Sequence, residues 1–288
     1  MTSSLGSLFL PLTFLFESLS KFPILLSLSV AYVVLCMIAR RYAPKFISPL
    51  ASLLASLHIL ALAGLSGVIA YIIVEELSTV LRPATIFSTL CDPGGSLWSS
   101  GALGLIQNLN MMLKIVEMHH TFWMSMSGRQ DHVTPFQLYH NVIMLWIAWS
   151  QTGPDGSSVQ WLPILLNCVV HVFMYLCMYQ AYRGGRTPFY TTLPMLQFFQ
   201  GVMTSCAILA VFAARFVHDF IDADRFRYWR CSGSWASFLI AASLALCYPL
   251  GYMTLHKPAT DNWLAERGLG LFFSIGHNLR HEKEEKRE

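Results

Sequence analysis

The chain has 288 residues, 55% of them hydrophobic and 12% charged, with a formal net charge of +3. Its mean hydropathy is +0.50, and it carries only about half the charge of a soluble domain. These values exclude a water-soluble enzyme, a disordered chain and a nucleic-acid binder with a basic face, leaving an all-α, polytopic membrane protein of one domain.

The first 21 residues hold one acid, Glu17, and no basic n-region. They fit neither a secretory signal nor an Arg-rich transit peptide, so insertion is expected to rest on the first spanning helix. Leu5–Leu19 is apolar but short and interrupted by Pro11, and reads as an interfacial segment. A membrane domain over 22–256 then follows. A spanning helix needs about 20 apolar residues, and the predicted spans are Phe22–Ile38, Pro49–Val74, Leu103–Met126, Pro135–Trp149, Trp161–Tyr182, Leu193–Phe216 and Ser234–His256. Residues 257–288 form a charged, mixed-sign tail, expected to be solvated and cytosolic. Lys286 stands third from the end without a second lysine at 284, a poor match to a dilysine retrieval signal.

Basic residues orient the spans. Arg40, Arg41, Lys45, Arg129, Arg183, Arg186, Lys257 and most tail cations fall on one side if seven helices alternate. The other side mixes Lys21, Arg82, Arg225, Arg227 and Arg230 with Glu75, Glu76, Asp92, Asp219, Asp222 and Asp224. The bias places the N-terminus outside and the C-terminus in the cytosol.

Five of the seven cysteines (Cys36, Cys168, Cys177, Cys206, Cys247) lie in apolar segments and read as small core residues. There is no CxxC pair and no zinc spacing. Cys91 and Cys231 fall in polar loops on the same non-cytosolic side, where an oxidising lumen would favour pairing; the alternative is two unrelated free thiols.

A charge at the centre of a spanning helix costs about 2.5–3.5 kcal/mol. The third span nevertheless carries Gln107, Asn110, Lys114, Glu117, His120 and Thr121, which steps of three and four place on one helical face. Lys114 and Glu117 can pair at i, i+3, so the stripe is either a structural ion pair or the lining of a polar cavity. The next spans repeat the pattern with Gln137, His140 and Asn141, then Asn167, His171, Met174 and Tyr175, then Gln197 and Gln200. Any one pair can simply hydrogen-bond two helices together; four consecutive helices favour a shared polar interior. Carboxylates are missing beside His140 and His171 on their own helices, so no metal is expected.

These residues resemble the motif boxes of the ELO fatty acid elongases. Lys114-x-x-Glu117-x-x-His120-Thr121 is similar to KxxExxDT, Gln137-Leu138-Tyr139-His140-Asn141 to HxxHH, Asn167-x-x-x-His171-x-x-Met174-Tyr175 to NxxxHxxMY, and Gln197-x-x-Gln200 to part of TxxQxxQF. The order and spacing hold from about the second span to the end of the sixth. The departures are His120 for Asp, Gln137 and Asn141 for the outer histidines, Pro194 for Thr and Gly201 for Phe. A second register would set His140 against the last histidine of its box, with Tyr139 in the middle. The ungapped spacing back to Thr121 favours the first.

The resemblance implies seven helices, six of them around a closed-ended acyl tunnel, and condensation of malonyl-CoA with long-chain acyl-CoA to a 3-ketoacyl-CoA. His140 and His171 would be catalytic, His140 as the nucleophile. Lys114, Glu117, His120, Gln137, Asn141, Asn167, Tyr175, Gln197 and Gln200 would shape the substrate site, and Arg183 and Arg186 would contact CoA phosphates. Gln137 and Asn141 would still donate hydrogen bonds. The implied partners are acyl-CoA, malonyl-CoA, membrane lipid, and a second copy or other membrane subunits, with no cofactor, no metal and no nucleic acid. The implied location is the endoplasmic reticulum membrane. The altered box leaves a second reading, an elongase fold without turnover that holds lipid or serves a larger membrane assembly, for which the mitochondrial inner membrane also fits. A retinal-type protein would need a lysine inside the last span, and a transporter would show broken helices.

Overall fold

The computed structural model describes residues 21–42, 49–80, 85–95, 102–126, 135–152, 156–183, 192–222, 224–225 and 229–243. The predicted interfacial segment, Arg186, the second half of the last span and the charged tail lie outside them. Among the described residues the secondary structure is helical, with no strand. The helices are α1 (Phe22–Tyr42), α2 (Pro49–Val80), the short α3 (Ile86–Cys91), α4 (Ala102–Met126), α5 (Pro135–Ser150), α6 (Trp161–Tyr182) and α7 (Leu193–Phe220). A 3-10 turn, Ser158–Gln160, leads into α6, and residues 235–243 begin another helix.

Four stretches are long and apolar enough to cross a membrane: Phe22–Ala39, Ser52–Ser78, Ser158–Ala181 and Phe199–Phe220. The chain is thus a polytopic, all-helical membrane protein. The helix α4 has 25 residues, but its polar stripe lowers its hydropathy. At 16 residues, α5 rises about 24 Å, short of a hydrocarbon core about 30 Å thick.

The central helix is α2, which packs on both α6 and α4; α4 also packs on α1 and α5, and α6 on α7. Ile59, Leu62 and Ile73 of α2 meet Ile106 and Leu113 of α4 and Trp161, Ile164 and Cys168 of α6 in one buried cluster. A second cluster joins Leu25, Tyr32 and Cys36 of α1 to Met111 and Met118 of α4 and Leu145 of α5. The outward faces stay apolar, with Val30, Val34, Leu57, Val68, Phe199 and Val202 exposed, as lipid contact requires.

One end of the bundle is closed. The connections after α2, α5 and α7 meet there, as they must if the long helices alternate in direction. Cys91 and Cys231 are joined by a disulfide, S–S 2.12 Å. Beside it, Ser232 N–H donates to the Cys91 carbonyl (2.8 Å) and Ser158 N–H to the Ser232 carbonyl (3.2 Å). Ser158 Oγ donates to the Leu90 carbonyl (2.7 Å) and Trp161 Nε1 to the Thr89 carbonyl (3.2 Å). Gln151 ties the middle connection: Nε2 donates to the Ser237 carbonyl (3.0 Å), while Oε1 accepts from Ser157 N–H (3.2 Å), Ser157 Oγ (2.9 Å) and Gln160 Nε2. Arg215 donates to the carbonyls of Cys231 and Gly233, and to Asp219 Oδ2 at 2.7 Å. Gly233 has φ +118°, and a Cβ there would lie 2.7 Å from the Gly156 carbonyl oxygen, so both the conformation and the close approach require glycine.

Candidate active site

Lys114 and Glu117 lie one turn apart on α4, Asn167 and His171 one turn apart on α6, and all four are buried. Together they close a ring. Lys114 Nζ donates to Glu117 Oε2 (2.9 Å) and Oε1 (3.2 Å), and to Asn167 Oδ1 (2.6 Å). His171 Nδ1 bonds Glu117 Oε1 (2.8 Å), and Asn167 Nδ2 bonds His171 Nε2 (3.1 Å). The donor inventory then sets the histidine tautomer. Lys114 has only donors, so Asn167 must turn its oxygen to Lys114 and its amide N–H to His171. Nε2 of His171 is therefore an acceptor, and the ring proton sits on Nδ1, facing Glu117. With Lys114 and Glu117 balancing, the ring has no net charge.

Both bonds between α4 and α6 join residues near the same height, Lys114 with Asn167 and Glu117 with His171, so these helices run parallel. The closed end lies at Trp161, and Arg183, exposed, ends α6 about 33 Å away. Of the residues predicted from the sequence, these two ends thus separate the Cys91–Cys231 pair from Arg183, with the polar ring between.

His140, on α5, lies within electrostatic reach of Lys114, Glu117 and His171, and its Nδ1 is shut off from solvent. Tyr175 sits edge-on to His171 (ring centroids 5.4 Å) and to His120 (6.2 Å). His120 does not join the Lys114 ring. It stacks on His58 of α2, centroids 6.0 Å and planes 10° apart. His58 in turn hydrogen-bonds the Val116 backbone.

Thr121, Gln137 and Asn141 form a second polar group on the α5 side. Gln137 Nε2 and Asn141 Nδ2 donate to Thr121 Oγ1 at 3.2 and 2.8 Å, and Asn141 Nδ2 also donates to the Tyr32 hydroxyl at 2.8 Å. Both amide N–H groups of Asn141 are therefore engaged. Gln197 Nε2 lies 4.0 Å from Met174 Sδ, and Gln200 is half-buried one turn further on. The sequence reading missed His58 and Tyr32, although an ionisable residue in an apolar span was itself a signal. No group of three or more metal-ligating side chains occurs among the described residues.

The ELO family model, described as the GNS1/SUR4 family, matches residues 18–258. The chain is similar to fatty acid elongase A of Dictyostelium discoideum, 25% identical over 197 residues that cover 67% of this chain and 68% of that protein. No solved structure matches.

Proposed function

Because the chain belongs to the ELO (GNS1/SUR4) family, we propose that it is a fatty acid elongase that condenses malonyl-CoA with long-chain acyl-CoA. The acyl carbonyl passes from the CoA sulfur to the His140 imidazole, forming a C–N bond and releasing the CoA thiol. Malonyl-CoA loses carbon dioxide, and the resulting carbanion attacks the acyl carbon. The C–N bond breaks, the 3-ketoacyl-CoA leaves two carbons longer, and His140 is regenerated.

The observation that carries this reading is the closed ring beside His140. Asn167 occupies the Nε2 lone pair of His171, so His171 is the less nucleophilic of the two histidines and acts as a fixed neighbour. His140 faces that ring electrostatically from α5. Arg183, at the opposite end of α6 from the disulfide, contacts CoA phosphate together with Arg186, and the acyl chain runs into the bundle toward the disulfide-closed end. A disulfide suits an oxidising lumen, hence an endoplasmic reticulum membrane.

A specific observation favours a second reading, an elongase fold that holds lipid without turnover. Both N–H groups of Asn141 are spent on Tyr32 and Thr121 and cannot also stabilise an enolate oxygen. The two readings part in one experiment: purified protein with long-chain acyl-CoA and labelled malonyl-CoA, beside His140→Ala. Elongase action gives labelled 3-ketoacyl-CoA that the variant fails to make. Intact, folded protein without product at any chain length sinks the first reading, and an acyl adduct at His140 without product supports the second.

A further inference from the structure

On α4, toward the closed end from Lys114, lie Asn110 and Gln107, 7% and 4% exposed. Steps of three and four keep both on the Lys114 face, about 6 and 10.5 Å along the axis. Each presents a buried atom without a hydrogen-bond partner: Oδ1 of Asn110 and Nε2 of Gln107. The end of the stripe abuts the stapled connections, since a Cβ on Gly156 would lie 3.2 Å from Gln107 Nε2. Buried polar atoms are nearly always satisfied, so a donor and an acceptor left open one turn apart indicate a missing polar group.

We propose that Asn110 and Gln107 form a subsite for a hydroxyl group on the distal part of the bound acyl chain. This rests on the acyl-CoA reading above. A hydroxyl is both donor and acceptor, so it donates to Asn110 Oδ1 and accepts from Gln107 Nε2 at once. A plain hydrocarbon chain would bury both groups unpaired. The preferred substrate class is therefore a hydroxylated long-chain acyl-CoA, its hydroxyl remote from the thioester. The thioester stays beside His140, and the hydroxyl selects which chain reaches full depth.

The test measures binding to the purified full-length protein by competition, so it reads out whether or not turnover occurs. The probes are a saturated long-chain acyl-CoA and counterparts of equal length with one hydroxyl at mid-chain or at the terminal carbon. The expected result is that one hydroxylated probe binds about tenfold or more tightly than the saturated one, and that Gln107→Leu/Asn110→Leu erases or reverses the preference. Those apolar replacements remove unpaired groups, so the variant is expected to remain folded. Equal binding of all three probes by the wild type overturns the subsite while leaving the acyl-CoA reading intact, as does a preference that survives in the variant. Failure to bind any acyl-CoA overturns both.

Discussion

The cap around Cys91–Cys231 and the ring around Lys114–Glu117 both fasten parts of the chain far apart in sequence, 140 residues in one case and 53 in the other. Their energetics are opposite. The cap satisfies backbone carbonyls and N–H groups that the ends of helices leave open, and adds a covalent link that restricts the unfolded chain. The ring places a cation and an anion where neither is solvated, an arrangement often no more stable than apolar packing. A buried charge pair kept at that cost points to chemistry, and a network of carbonyl bonds points to stability. Damage to the cap should therefore lower stability with little change per folded molecule, whereas damage to the ring should change both.

The largest expected effect is Lys114→Met, which strands the Glu117 carboxylate and should cost about 3–5 kcal/mol. Thermal unfolding in detergent reads it, and Lys114→Met/Glu117→Gln should recover most of the loss. A single variant as stable as wild type would mean that the ring is hydrated. Next comes Cys91→Ser/Cys231→Ser, expected to cost about 2–4 kcal/mol while turnover per folded molecule stays unchanged. A drop in turnover beyond the loss of folded protein would erase the distinction between the regions. Gly233→Ala should cost about 1–3 kcal/mol through its positive φ, to which crowding of the Gly156 carbonyl adds, read by the same unfolding assay, with turnover per folded molecule unchanged. The smallest is Asn141→Leu, about 1–2 kcal/mol from lost bonds to Tyr32 and Thr121. If Asn141 does stabilise the enolate, that variant would instead lose activity far beyond its stability change.

Much of this was legible beforehand, for reasons that differ by region. Hydropathy marked the span Trp161–Tyr182 to the residue, because Pro163 in the first turn and the apolar run agree. The Lys114–Glu117 pair and the Asn167–His171 pair were legible from their spacing of three and four, since such steps share a helical face. Their union was not, because pairing across 53 residues depends on how α2 sets α4 and α6 apart. His120 shared the predicted stripe but turned to His58, which has no polar residue three or four positions away on α2 to make a second stripe. Cys91 and Cys231 were placed on one side by charge bias, yet nothing in the local sequence singled out Gln151, Ser157 and Gln160. Only the meeting of three connections makes them a plug.

The most direct measurement is the site of acylation. Wild-type protein would be incubated with long-chain acyl-CoA and no malonyl-CoA, quenched, digested and mapped by mass spectrometry. With the His171 lone pair held by Asn167, the acyl group should appear on His140 alone, and Asn167→Ala should allow adduct on His171 as well. Acylation of His171 in the wild type would contradict the account, because the ring would then not hold that histidine out of the reaction.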